Sequence, residues 1–187
     1  MSGSAPRLAP GTLRDIGPLV AGFARVAGRV QGTEPPAVFL TLGRHRRLFW
    51  GWLHFAGRLM PGGRLSRRES ELVILRVAAR RGSAYELTQH RRLGRRAGLG
   101  ADQVEAIERI DAPGGVRAVG FSARELVLLR VADELVETRD LGGDTWTEVE
   151  RHFDERERIE VLMLAAHYDM LATVLHTLRV APDRPRR

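Results

Sequence analysis

Ser66-Arg67-Arg68-Glu69-Ser70-Glu71-Leu72-Val73-Ile74-Leu75-Arg76-Val77-Ala78-Ala79-Arg80-Arg81-Gly82 is the stretch on which the fold turns. Ser66 and Glu69 have the spacing of a capping box, in which the hydroxyl accepts the N–H of the third helical residue and the glutamate reaches back to the cap. The helix this opens, about Arg67 to Arg81, has Leu72, Leu75, Ala78 and Ala79 on one side, with Val73, Ile74 and Val77 close by. Apolar around much of its circumference, it belongs in the middle of a helical bundle rather than on its surface. Gly82 ends it.

Similar punctuation recurs outward from there. Downstream, Ala84 to about Ala97 reads as a helix closed by Gly98 as a left-handed cap, and Asp102 to Ile110 as a short amphipathic helix. Asp111-Ala112-Pro113-Gly114-Gly115 reads as a loop. Ser122-Ala123-Arg124-Glu125 is a second capping box, opening a helix to about Arg139, and Thr145-Trp146-Thr147-Glu148 is a third candidate. The last helix, about Glu155 to Leu178, carries Ile159, Leu162, Met163, Ala166, Met170, Val174 and Leu178 on its expected core side. Upstream, Leu13 to Arg29 has apolar residues at helical spacing, and Ala37 to Leu59 is a helix with a break expected near Gly43 or Gly51, stopped by Met60-Pro61-Gly62-Gly63. Each cap contributes only about 1 kcal/mol, so caps set boundaries rather than supply stability. No long strand-like alternation intervenes, and the fold class expected is all-α. Residues 11–180 read as a single helical domain, with frayed ends at 1–10 and 181–187.

Glu71-Leu-Val-Ile-Leu-Arg-Val-Ala and Glu125-Leu-Val-Leu-Leu-Arg-Val-Ala agree at seven of eight positions. Two buried helices with the same packing needs account for that, and so does a duplicated unit with pseudo-symmetry. The distance from the preceding cap differs by two residues between the copies.

The 187 residues suffice for one domain with a real core. With no cysteine, disulfides, thiolate metal sites and thiol catalysis are excluded for this chain. No apolar run approaches the roughly 20 residues of a membrane span, and no secretory signal is visible, so a cytoplasmic protein is expected. All 30 basic residues are arginine, which points to a GC-rich, bacterial genome, and the formal charge is +7. A basic balance raises nucleic acid as a partner. The arginines are instead interspersed with Glu and Asp and no nucleic-acid motif is present, so solvated helix faces are the reading taken.

The residues with chemistry follow the opening stretch. Glu86 and His90 stand four apart on one helix, so their side chains share a face. Glu71, across the turn Arg81-Gly82-Ser83, can fold against that face. Two carboxylates and an imidazole would then converge, a set able to move protons. The same spacing also describes an exposed pair worth a few tenths of a kcal/mol. His167 lies seven residues after Glu160 and reads as a packed or interface histidine, with a place in the site as the alternative. Trp50 and Trp52, flanked by His45 and His54, read as core or subunit interface, or as a pocket wall. Neither paired Glu-x-x-His units nor His-Glu-x-x-His spacing occurs, so no metal site is assigned.

The run from Leu65 to Ala78, then Tyr85-Glu86-Leu87-Thr88-Gln89-His90, then Gly98-Leu99-Gly100 ahead of a short helix, resembles the carboxymuconolactone decarboxylase family. Residues 35–180 are covered, including Ala166-His167-Tyr168 in the last helix. The resemblance implies the alkylhydroperoxidase-like helical fold and homo-oligomers, trimers or hexamers. Peroxidase-type relatives carry a Cys-x-x-Cys pair ahead of a His, with a Glu on the preceding helix. Those positions are Ser83, Glu86, His90 and Glu71 here, and without thiols peroxide reduction by disulfide cycling is chemically closed. Decarboxylase-type relatives carry Tyr-Glu-Trp-x-x-His; this chain keeps Tyr85, Glu86 and His90 and has Leu87 in place of the Trp. The expectation is a cofactor-independent acid/base enzyme that decarboxylates or isomerises a small organic acid or lactone next to a carbonyl. His90, Glu86 and Glu71 would be catalytic, with Tyr85 and Ser83 contacting the small-molecule substrate. The alternatives are a non-catalytic homo-oligomer and a basic nucleic-acid-binding module.

Overall fold

The computed structural model describes residues 5–109 and 120–186, and it is all-helical. Among the described residues nine α-helices follow one another: α1 (Leu13–Gln31), α2 (Ala37–Leu42), α3 (Arg46–Leu59), α4 (Arg67–Arg80), α5 (Ala84–Arg96), α6 (Ala101–Glu108), α7 (Ala123–Thr138), α8 (Gly143–His152) and α9 (Glu155–Leu178). The loop expected at 111–115 lies outside the described residues. Two compact units emerge, Met1–Ala56 with Val174–Arg187, and Gly57–Thr173.

In the first unit, Ile16, Val20, Ala21 and Phe49 form a small core. Phe23, Phe39, Phe49, Trp50 and Trp52 pack ring to ring with centroids 5.2 to 6.2 Å apart, so the aromatic cluster is core at Phe49 and reaches the surface at Trp50. The break expected in the second helix falls at Gly43. His45 then precedes α3, its Nδ1 accepting from the Leu48 N–H at 3.3 Å. Gly17 interrupts α1 with a φ of 76°, a left-handed conformation that glycine adopts without strain. The Arg46 guanidinium lies against it and donates to the carbonyls of Arg14 and Asp15.

The second unit is built round α4, whose residues Ser70 to Ala79 are all buried. Both expected Ser–Glu boxes form. Ser66 N–H donates to Glu69 at 2.8 Å and Ser122 N–H to Glu125 at 2.8 Å, and each Ser Oγ accepts in return at 3.2 Å. The third box does not form. α8 starts two residues before Thr145, at Gly143, and the Thr145 hydroxyl donates instead to Glu134 at 2.5 Å. A box of a different composition starts α9, where Asp154 and Glu157 exchange N–H to carboxylate bonds at 2.9 Å.

α4 and α7 lie side by side in parallel. Arg68 pairs with Glu125, Arg76 with Asp133 and Arg80 with Glu137, three contacts at one constant offset. The caps are level, and Arg124 of α7 reaches back to Glu69 of α4 at 2.6 Å, so each capping glutamate is neutralised by the other helix's arginine. Arg76 is buried yet fully engaged. It holds Asp133 through two bonds of 2.6 and 2.8 Å and donates to the carbonyls of Ile107 and Arg109, which the end of α6 leaves without helical partners.

α9 differs from expectation in which face it buries. Val161, Leu164, Ala165, Leu171 and Ala172 are inside, while Ile159, Met163, Ala166 and Met170, expected on the core side, are exposed. The helix carries two apolar stripes, and periodicity alone does not choose between them. For the same reason α9 is the one described helix long and apolar enough, by length and composition, to cross a bilayer, although its longest uninterrupted apolar run, residues 161–166, is far shorter than a span.

Candidate active site

α4, α5 and α9 supply the site, all within Gly57–Thr173. The turn Arg81-Gly82-Ser83, with Gly82 at φ 60°, folds α5 back against α4. That brings His90 of α5 to Glu71 of α4, with Nδ1 2.7 Å from Oε2. A carboxylate only accepts, so the contact fixes Nδ1–H as donor and leaves Nε2 as the nitrogen that exchanges protons. The other oxygen of Glu71 sits 2.7 Å from the Arg67 guanidinium, one turn earlier, an ion pair whose alignment falls short of a hydrogen bond. Glu71 is wholly buried and His90 nearly so.

Glu86 is buried as deeply, at 1% exposure, and neither of its oxygens has a hydrogen-bond partner. It is the third residue of α5 after the N-cap Ser83, so Ser83-Ala84-Tyr85-Glu86 has the sequence of a capping box. The box is not made, because no side-chain cap bond forms at Ser83. Burial pushes the Glu86 carboxyl up to about 7. The Ser83 hydroxyl and His90 pull it back, and the Asp169 carboxylate adds to the rise. A buried acid without a partner, poised near neutrality, breaks a local rule that the same chain obeys at Ser66 and Ser122.

Tyr168 of α9 closes the group. Its ring stands edge-on to His90, centroids 5.3 Å apart at 90°. Burial, then the carboxylates of Glu71 and Glu86, push its phenol far above the ordinary range. Asp169, the next residue, is held by Arg81. His167 packs edge-on to Tyr168 at 5.2 Å, and burial pushes its pKa down to about 4. Glu160 does not join it, because its oxygens accept from the Arg64 and Leu65 N–H groups at 2.7 and 3.0 Å.

The structure therefore brings Glu71, Glu86 and His90 into one buried neighbourhood, with Ser83 at the N-cap and Tyr85 buried on the same helix. Sequence reasoning missed Arg67 and Tyr168. Arg67 was visible as an i,i+4 partner of Glu71. Tyr168 stands beside His167 in Ala166-His167-Tyr168, the signal that marked it. Among the described residues, no group of three or more His, Asp and Glu is arranged to hold a metal ion.

An all-helical protein with a buried Glu–His pair between two consecutive helices defines a class, and known proteins can be compared with it. Residues 46–134 of this cysteine-free chain match the Carboxymuconolactone decarboxylase family. No curated protein matches the chain. Solved structures share its fold. A peroxidase-related protein from Silicibacter sp. TM1040 superposes with a TM-score of 0.80 at 15% identity, covering 97% of this chain and 94% of that one. A peroxidase-related protein with an alkylhydroperoxidase AhpD core, from Ralstonia eutropha JMP134, gives 0.82 at 15% identity, over 96% and 93%. The debrominase Bmp8, as a cysteine-to-alanine variant in complex with 2,3,4-tribromopyrrole, gives 0.75 at 14% identity, over 96% and 93%.

Proposed function

We propose that this protein is an acid/base enzyme that moves a proton next to a carbonyl in a small organic substrate. The observation that carries the reading is Glu86, a carboxyl buried without a partner and titrating at about 7, one helical turn from a histidine whose other face is held by a carboxylate. His90 Nε2 is the base that takes a proton from the carbon beside the carbonyl, and Glu71 stabilises the imidazolium so formed. Protonated Glu86 donates to the carbonyl oxygen as charge develops there, giving an enol. Return of the proton to the same or a neighbouring carbon completes an isomerisation. If carbon dioxide leaves instead of a proton, His90 enters as the imidazolium and its Nε2–H protonates the carbon that keeps the electron pair, while the enol proton returns to Glu86, a decarboxylation. No step calls for a cofactor.

The chemistry so assigned suits a compact substrate, a small acid, lactone or ring ketone. The complex of the debrominase Bmp8 variant with tribromopyrrole supports the fold as a holder of small rings. The cysteine replaced in that variant has no counterpart in a chain without cysteine.

The test is carbon-bound hydrogen exchange in D2O, followed by NMR over a panel of β-keto acids, lactones and cyclic ketones. The parent protein exchanges the position next to the carbonyl in at least one of them. Glu86→Gln, of nearly the same shape, loses on the order of 10²-fold, and His90→Asn loses at least as much. Exchange by both variants at the parent rate would remove the proposal.

A further inference from the structure

We propose that the surface formed by α1 and the first turns of α3 docks on a lipid bilayer carrying anionic phosphate headgroups, with α1 lying in the plane of the interface. Two observations within the unit Met1–Ala56 with Val174–Arg187 meet on that surface. The first is an apolar stripe. α1 buries Val20, Ala21, Ala24 and Gly28 on one side, and on the opposite side Leu19, Val26 and Val30 are 76, 56 and 76% exposed. At 3.6 residues per turn these three fall within about 40° of one another, on a line about 17 Å long. Phe23 extends the stripe sideways to α3, its ring edge-on to Trp50 at 5.7 Å, and Trp50 is itself 39% exposed.

The second observation is charge. Along the chain arginine is interspersed with Glu and Asp, yet the two units divide these residues unequally. The unit with α1 holds 11 arginines and 3 acidic residues, whereas Gly57–Thr173 holds 19 and 20. The positive balance of the protein therefore lies wholly in the smaller unit. Two of its three acids are engaged, Asp15 with Arg44 at 3.2 Å and Asp183 with the Ala37 N–H at 2.7 Å. Arg25 and Arg29 flank the stripe on α1, and Arg47 stands one turn before Trp50 on α3. All three are exposed, and among the described residues none is paired with a carboxylate. Apolar side chains edged by arginine and an aromatic ring suit a helix at the headgroup level, where guanidinium groups meet phosphates and the apolar stripe enters the acyl boundary. Other occupants use less of the surface. A nucleic acid would engage the arginines and leave Leu19, Val26 and Val30 in water. A second copy would set one strongly basic unit against another.

Co-sedimentation of the full chain with vesicles tests the proposal. Phosphatidylcholine mixed with phosphatidylglycerol should carry the protein down, phosphatidylcholine alone should not, and added salt should release it. Arg25→Gln with Arg29→Gln should weaken binding by roughly tenfold or more. The same loss of charge in the other unit, Arg95→Gln with Arg96→Gln, should leave binding unchanged. Leu19→Glu with Val30→Glu should abolish it while the far-ultraviolet circular dichroism stays that of the parent. Brominated acyl chains should quench a share of the tryptophan emission that Trp50→Phe lacks. A parent that does not sediment with the anionic vesicles overturns the proposal. So does binding that both arginine pairs weaken equally, or binding that survives Leu19→Glu with Val30→Glu, because net charge alone would then account for it. A parent that ignores vesicles and retards duplex DNA at low salt would give the surface to nucleic acid instead.

Discussion

Glu86 and His167 impose opposite pH dependences on stability, and a pair of variants separates them. The Glu86 carboxyl rises from 4.5 to about 7 on folding. A raised acid is a proton the native state holds more tightly, so its contribution is fully present below pH 4.5 and is lost as pH climbs through 7. His167 falls from 6.5 to about 4. A depressed base contributes fully above pH 6.5 and loses that contribution as pH drops through 4. Each shift spans about 2.5 units, or about 3 kcal/mol at 1.36 kcal/mol per unit. Between pH 4.5 and 6.5 the two nearly cancel. The parent's unfolding free energy, from urea titrations at half-unit pH steps, should therefore be close to flat over that range. Glu86→Gln leaves His167 unopposed, so its stability should climb by about 2 to 3 kcal/mol from pH 4.5 to 7. His167→Asn leaves Glu86 unopposed, and stability should fall by a similar amount over pH 5 to 8. The carboxylates that folding depresses, Asp15, Glu69, Glu125, Asp154 and Glu157, act below pH 4.5 and stay out of this window. Parallel curves for the parent and Glu86→Gln would refute the reasoning, because Glu86 would then be ionised in the folded protein as it is in the unfolded one.

Other outcomes follow from the same geometry. His90→Ala leaves Glu71 wholly buried with Arg67 as its remaining partner, and should lower stability at pH 7 by about 3 kcal/mol in the same urea titrations. Arg76→Ala should cost a comparable amount, since it leaves Asp133 with only the 3.6 Å contact to Arg80 and strands the carbonyls of Ile107 and Arg109. Arg76→Lys should recover less than half, because an ammonium has no fork for the two-bonded contact. Ser122→Ala removes a cap and should cost about 1 kcal/mol in thermal unfolding without changing the deuterium exchange rate.

Helix boundaries were legible wherever a cap and an apolar period agreed, as at Ser66 and Ser122, because both signals are local. Thr145-Trp146-Thr147-Glu148 failed because a competing acceptor, Glu134 of the preceding helix, takes the threonine hydroxyl, and no local pattern announces that. At α9 the cap is Asp154, a carboxylate in place of the serine hydroxyl of the other two boxes, and it serves equally well. The buried face of α9 was misread because two stripes fit one period. In the site, Glu86 and His90 were legible from a four-residue spacing and Glu71 from a short turn. Their burial was not, because it depends on α9, whose Tyr168 lies about 80 residues further along the chain. The same distance hid the near-neutral Glu86, since a pKa of about 7 is a property of desolvation rather than of neighbours in sequence.

The octad that occurs twice explains why only one of the two helices carries the candidate site. In α4 the octad begins five residues after the cap Ser66, and in α7 three after the cap Ser122. Two residues along an α-helix turn a side chain by about 200°, so the two glutamates point to nearly opposite sides of helices whose caps are level. Glu125 is consumed by its own N-terminus and by Arg68, which hold its carboxyl well below the usual range despite partial burial. Glu71, clear of the first turn, is free to face α5 and take the His90 ring nitrogen. The chemistry was set less by the shared residues than by their distance from the nearest serine. The same octad, set two positions further from its cap, leaves one glutamate to structural use and turns the other towards a histidine.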